Sequence, residues 1–141
     1  MKGLGTALIT PFTEDSKVDF PALSQLIEHQ VAGGTDYLVI LGTTSEVPTL
    51  THQEQNAIID YVVKQVAGRM PLVLGIGGNS TAAVVERIGE LKEQLIAHFA
   101  AILSVTPYYN RPQQEGLYLH FCEVAKVSPV PVILYNVPKR T

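Results

Sequence analysis

The chain has 141 residues, 46% of them hydrophobic and 16% charged, which fits one globular domain with a sizeable core and excludes a disordered chain. Ten lysines and arginines against thirteen aspartates and glutamates give a net charge of -3, without the basic face that nucleic acid binding requires. No apolar run approaches a membrane span, and the single cysteine excludes an internal disulfide. We therefore expect a cytoplasmic protein that binds neither nucleic acid nor membranes.

Five short apolar runs, recurring about every 30 residues, predict strands that alternate with helices. The runs are 5–9, 37–41, 72–76, 100–105 and 130–135. None alternates between apolar and polar residues, so each strand should be buried on both faces, as in a parallel sheet. The order βαβαβαβαβ fits either an open doubly wound sheet or part of a (β/α)8 barrel.

Polar residues at the expected helix starts predict how three of the four helices begin. Asp19 and Ser80 are candidate N-caps, and Thr51 with Glu54 has the spacing of a capping box. These residues supply side-chain oxygens to backbone amides that lack partners in a helix's first turn.

The third predicted helix carries one apolar stripe, formed by Val84, Ile88, Leu91 and Leu95. No glycine, asparagine or proline separates its end from the fourth strand, so the boundary between them stays open by several residues.

The four histidines offer no metal site, because they lack carboxylates or cysteines at ligand spacing. In the fourth helix, His120 and Cys122 are two residues apart and point to different faces. We interpret Cys122 as buried and His120 as exposed.

The segments after the five strands are rich in hydroxyl groups and lie, in either architecture, at the carboxyl edge of the sheet. They are residues 10–11, 42–46, 77–79, 106–110 and 135–141. Hydroxyl donors, backbone amides and an arginine on one rim suit a small anionic ligand that carries a carbonyl group.

Three of these segments carry a resemblance that extends over the whole chain. Residues 42–46 read GTTSE, residues 106–112 read TPYYNRP and residues 135–141 read YNVPKRT. They resemble the dihydrodipicolinate synthase (4-hydroxy-tetrahydrodipicolinate synthase) family, which belongs with N-acetylneuraminate lyase to the pyruvate-dependent aldolases. The resemblance implies a (β/α)8 barrel, here a partial barrel of about five parallel strands and four helices. Residues 1–141 would be the N-terminal portion of one barrel domain.

The resemblance also implies a reaction and its residues. Pyruvate forms a Schiff base with a lysine and condenses with aspartate semialdehyde, and no cofactor is implied. Tyr135 would be the acid/base tyrosine, Thr43 would relay its proton, and Tyr109 from a neighbouring subunit would complete the relay. Thr44 would hold the pyruvate carboxylate, and Arg140 would meet the carboxylate of the second substrate.

Two departures from the family bear on this expectation. Ser45 stands where the family usually has glycine, which adds a side chain close to the carboxylate-binding amides. The family's Schiff-base lysine lies on a sixth strand, and these 141 residues contain five. Lys139, beside Arg140, is the one lysine near the rim. We expect that the isolated chain lacks normal turnover; the alternative is a catalytically inactive or engineered half-barrel that serves in folding or assembly.

An incomplete barrel leaves strand edges unpaired, and such edges pair readily with another copy. We therefore expect a homo-oligomer that associates through open strand edges or the barrel interior. The alternative is a flavodoxin-like layer with helices on both faces.

Overall fold

The fold is given by a computed structural model that describes residues 1–139. Within that range the five apolar runs form five parallel strands in one sheet of order β1-β2-β3-β4-β5. The strands are β1 Gly5–Ala7, β2 Tyr37–Ile40, β3 Leu72–Gly75, β4 Ala101–Val105 and β5 Val132–Tyr135. The prediction of parallel strands alternating with helices is confirmed.

Helices fill each interval between consecutive strands. They are α1 Phe20–Ala32, α2 His52–Val66, α3 Thr81–Glu90, α4 Lys92–His98 and α5 Gln114–Val127. None of the helices in residues 1–139 has the length and apolar composition that a membrane span requires.

The chain divides into two compact units, of which the first is Met1–Val73. Its strands β1 and β2 pair in parallel, with Thr6 opposite Leu38. The apolar faces of α1 and α2 are buried, including Leu23, Ile27 and Val62. This unit therefore has its own core, as an amphipathic helix against a buried strand requires.

The second unit begins at Leu74. Its strands β4 and β5 pair in parallel, with Val105 opposite Tyr135 at their carboxyl ends. Ile102 is fully buried in β4, and Val124 is fully buried in α5. Whether residues 1–141 are one portion of a single barrel domain stays a prediction.

The third predicted helix is two helices, so the expected count of four was wrong by one. Leu91 leaves the helical region at φ -97° and ψ 8°, separating α3 from α4. Gly89, two residues earlier, has a low helix propensity and weakens this turn. The predicted stripe is nevertheless buried throughout, from Val84 to Leu95.

The start of α2 is fixed by the predicted capping box. The Thr51 hydroxyl accepts a hydrogen bond from the Glu54 amide at 3.2 Å, and the Thr51 amide donates to the Glu54 carboxylate at 2.8 Å. The hydrogen bond from the Thr51 amide, followed by that from its hydroxyl, lowers the pKa of Glu54. Asp19 and Ser80 likewise accept hydrogen bonds from the first turns of α1 and α3, so all three predicted caps are confirmed.

Replacing Thr51 with alanine removes the acceptor for the Glu54 amide and is expected to lower the free energy of unfolding by about 1 kcal/mol. Thr51→Ser keeps the hydroxyl and should retain most of the stability. Urea titrations followed by circular dichroism measure both changes. An equal loss in the two variants would show that the hydroxyl is not the stabilising group.

Candidate functional site

The segment after β2 leaves the strand through a tight turn. Leu41 is buried and has a left-handed backbone, with φ 51°. Thr43–Ser45 form a short 3-10 turn, and Glu46 is again left-handed, with φ 56°. Left-handed backbone is costly for residues other than glycine, so surrounding contacts must hold this turn.

Within the turn, Thr43 and Thr44 are exposed while Ser45 is buried. The Ser45 hydroxyl donates a hydrogen bond of 2.7 Å to the carbonyl of Leu8, just beyond β1. The Thr10 hydroxyl donates one of 2.9 Å to the carbonyl of Ser45. The two exposed threonine hydroxyls therefore stand on a turn whose base is hydrogen-bonded to the segment after β1.

The sequence did not predict this pair of hydrogen bonds. Thr10 and Ser45 each belong to a segment that follows a strand, but a hydroxyl in such a segment usually caps a helix or stabilises a turn. Their partners lie 35 and 37 residues away along the chain. No local pattern indicates a contact of that separation.

In the second unit, Tyr109 occupies the loop after β4. Its side chain is 89% exposed, and its backbone is left-handed with φ 71°. The next residue, Asn110, donates from its side-chain amide to the carbonyl of Asn79 at 3.0 Å. This bond fixes the base of the loop against the segment after β3. An exposed aromatic ring on a strained but anchored backbone is typical of a functional position.

Tyr135 ends β5 beside the residue that follows β4. The amide of Thr106 donates a hydrogen bond of 3.0 Å to the carbonyl of Tyr135, and the Tyr135 side chain is half-buried. Tyr109, in the loop after β4, and Tyr135, at the end of β5, are therefore associated with neighbouring, paired strands of the second unit.

The close approach of the segment after β3 to the end of β4 requires glycine at one position. A Cβ at Gly77 would lie 2.6 Å from Cγ1 and 2.9 Å from the amide nitrogen of Val105. Real Cβ atoms do not come so near to backbone, so any larger residue would displace the end of β4.

The structure thus places Thr43 and Thr44 together on one turn, Tyr109 in the loop after β4, and Tyr135 at the end of β5, the strand paired with β4. Arg140, the fifth predicted site residue, lies outside the described residues. Lys139 is exposed in the turn that follows β5.

The interpretation that Cys122 is buried and His120 is exposed on α5 was wrong. His120 is 3% exposed and Cys122 is half-buried, so the buried face of the helix includes His120 rather than Cys122. The Thr81 hydroxyl lies 2.9 Å from Nδ1 of His120, and Nε2 has no hydrogen-bond partner among the described residues. The Thr81 hydroxyl is a hydrogen-bond partner for Nδ1 and so offsets the cost of burying that ring nitrogen. Within residues 1–139, no group of three or more potential ligands could hold a metal ion.

The chain is similar to one enzyme family over its full length. A model of the Dihydrodipicolinate synthetase family matches residues 1–141. A 4-hydroxy-tetrahydrodipicolinate synthase from Parabacteroides distasonis is 55% identical over 141 residues, which are 100% of this chain and 46% of that protein. One from Flavobacterium psychrophilum is 54% identical over 139 residues, covering 99% and 46%. The chain spans about half the length of the curated relatives it matches.

Solved structures give the same result for the fold. Dihydrodipicolinate synthase from Aquifex aeolicus superposes with a TM-score of 0.90 at 45% identity, covering 100% of this chain and 47% of that one. A chloride-inhibited dihydrodipicolinate synthase from Acinetobacter baumannii, in complex with pyruvate, gives a TM-score of 0.91 at 40% identity, covering 99% and 47%.

The burial of His120 predicts a pH dependence of stability. Desolvation lowers its pKa in the folded chain, so the unfolded chain binds more protons near the ordinary histidine pKa of about 6.5. Stability should therefore be fully present above about pH 7 and fall as the pH drops through about 6.5. Urea unfolding at a series of pH values measures this slope.

His120→Gln should flatten the slope, whereas His98→Gln, which replaces an exposed histidine on α4, should keep it. A slope that survives the His120 substitution would assign the effect to another group.

Proposed function

Because the chain belongs to the Dihydrodipicolinate synthetase family, we propose that it supplies the N-terminal part of a lyase barrel that condenses pyruvate with aspartate semialdehyde through a lysine Schiff base. Such a reaction serves lysine and diaminopimelate biosynthesis, in the cytoplasm. The observation that carries the proposal is the turn after β2, where two threonines of the family motif are exposed on a buried, hydrogen-bonded base.

Thr44 and the amides of its turn are proposed to bind the pyruvate carboxylate. A hydroxyl and backbone amides held in one orientation stabilise a carboxylate without reorganising when the ligand binds. The relative from Acinetobacter baumannii was solved with pyruvate, which supports the choice of this ligand. Thr44 is exposed, so its hydroxyl is accessible to a small anion.

Tyr135 is proposed as the proton donor and acceptor over the Schiff base. A phenol has an ordinary pKa of about 10, so it moves protons efficiently near neutral pH only when other hydroxyls share the developing charge. The family resemblance assigns that part to Thr43 and to Tyr109 of a neighbouring subunit. The 89% exposure of Tyr109 suits a residue that contributes to another molecule's site.

Arg140 is proposed, on the resemblance alone, to bind the carboxylate of aspartate semialdehyde. A guanidinium group presents a planar pair of donors that matches a carboxylate.

A polypeptide of residues 1–141 alone is proposed to lack normal turnover. Formation of a Schiff base requires a neutral amine, which proteins obtain by burying a lysine or placing it beside another cation. Lys139 is exposed in a polar turn, and Lys126 on α5 is ion-paired with Glu123 at 2.5 Å. Neither setting is the desolvated pocket of a covalent nucleophile.

A second role, assembly with another copy, is favoured by the apolar surface of β5. This strand is last in the sheet order, and its Ile133 and Leu134 side chains are 38% and 60% exposed. An exposed apolar edge strand is a template for pairing with another chain. We propose that residues 1–141 in isolation form a homo-oligomer through this edge.

The lyase proposal is tested with a chimera in which residues 1–141 replace the matching part of the Parabacteroides distasonis relative. The chimera should condense pyruvate with aspartate semialdehyde. Tyr135→Phe should lower kcat by about 10² to 10⁴, the usual contribution of a general acid or base. Tyr118→Phe, which removes an exposed phenol from α5, should leave kcat unchanged.

Borohydride trapping with pyruvate, read by intact mass, should label the chimera but not residues 1–141 alone. A folded chimera without activity would contradict the proposed function. An active chimera that is insensitive to Tyr135→Phe would contradict only the role of that tyrosine.

The assembly proposal predicts that Leu134→Lys weakens self-association of residues 1–141 by roughly tenfold or more, because a paired edge would have to desolvate the new ammonium group. Sedimentation velocity over a range of concentrations measures the association. Ile96→Lys, at an equally exposed apolar position on α4, should associate like the unsubstituted chain. A monomer at every concentration would refute this role.

A further inference from the structure

We infer that the Ser45 hydroxyl is a positioning group for pyruvate binding, because with Thr10 it holds the turn that carries Thr43 and Thr44 against the segment after β1. The inference rests on the proposed function and concerns the same site. We name the two hydrogen bonds, Ser45 Oγ to the Leu8 carbonyl and Thr10 Oγ1 to the Ser45 carbonyl, the Ser45 pair.

The two hydrogen bonds of the Ser45 pair join the turn after β2 to the segment after β1, and each of the two segments donates one bond. Ser45 donates to the first segment at 2.7 Å and accepts from it at 2.9 Å. All three residues are nearly inaccessible: Ser45 is 2% exposed, Leu8 4% and Thr10 5%. Water therefore cannot readily replace either bond, and losing one leaves a buried polar group unpaired.

The turn needs this support because its own backbone offers little. Its first residue has no side-chain cap, and left-handed residues precede and follow it, at Leu41 and Glu46. Within the turn, the Ser45 amide bonds the Gly42 carbonyl at 3.0 Å, and the Glu46 amide bonds the Thr43 carbonyl at 3.3 Å. A turn with left-handed residues at its ends, whose internal hydrogen bonds join residues only three apart in sequence, opens easily unless other contacts hold it.

Holding the buried end of the turn in place orients the exposed hydroxyls of Thr43 and Thr44. Ser45 follows Thr43 and Thr44 directly, so its burial anchors the end of the turn on which both threonines stand. Donors that are already ordered bind a carboxylate without losing further conformational entropy on binding. Ser45 touches no substrate in this scheme and acts through the orientation of its neighbours.

The test removes each hydroxyl of the Ser45 pair from the full 141-residue chain. Amide hydrogen exchange, followed by NMR, should be roughly tenfold faster at Ser45 and Glu46 in Ser45→Ala and Thr10→Val, the fold-change of about one net hydrogen bond. Thr10→Ser keeps the hydroxyl and should restore slow exchange. Thr35→Val is the matched control, since it removes another buried threonine hydroxyl, bonded to Gln30 at 2.9 Å, from the same unit.

Unchanged exchange in Ser45→Ala and Thr10→Val would overturn the inference, and so would equal acceleration in Thr35→Val, which would indicate a general loss of stability. In the chimera described above, Ser45→Ala should raise the pyruvate KM by roughly tenfold while its KM for the second substrate stays near the parent value. An inactive parent chimera would refute the proposed function, whereas an active parent with an unchanged pyruvate KM in Ser45→Ala would refute the positioning role alone.

Discussion

Backbone hydrogen bonding between buried parallel strands is the constraint on which the rest of this molecule depends. Leu38, Val73, Leu74 and Ile102 are inaccessible, so the peptide groups of their strands have no water and must pair with one another. Backbone pairing between the strands extends into the first residues beyond their carboxyl ends, where the Leu8 amide bonds the Val39 carbonyl and the Thr106 amide bonds the Tyr135 carbonyl. The described candidate site residues lie just beyond this pairing: Thr43 and Thr44 follow β2, Tyr109 follows β4, and Tyr135 ends β5.

Leaving a buried strand abruptly has a conformational cost. Leu41 and Glu46 around the turn after β2, and Tyr109 after β4, all adopt left-handed backbone, which costs on the order of 1–3 kcal/mol per residue. Tertiary hydrogen bonds offset this cost in each unit. Ser45 is bonded to the segment after β1, and Asn110 is bonded to the segment after β3. Strain and anchoring therefore occur together where the chemistry is proposed.

The α5 helix illustrates why periodicity alone can assign the wrong face. The pattern along the sequence was interpreted with Cys122 on the buried face and His120 on the exposed face, yet the buried residues of this helix are His120 and Val124. Burying an imidazole is unfavourable unless a partner is available, and Thr81 at the start of α3 supplies one at 2.9 Å. That partner lies 39 residues away, so no window along the sequence contains the information.

The sequence by itself determined the five strands, the caps at Asp19, Thr51 and Ser80, and the family, because these depend on local hydrophobicity, on capping chemistry over three or four residues, and on motifs in order. It also indicated which strand-end segments carry the candidate residues. Only the tertiary structure decided that the helix after β3 breaks at Leu91 and that Ser45 and Thr10 hold one turn together. Those outcomes depend on which distant polar groups meet in the interior, where each must find a partner, and that pairing is set by packing rather than by neighbours in the chain.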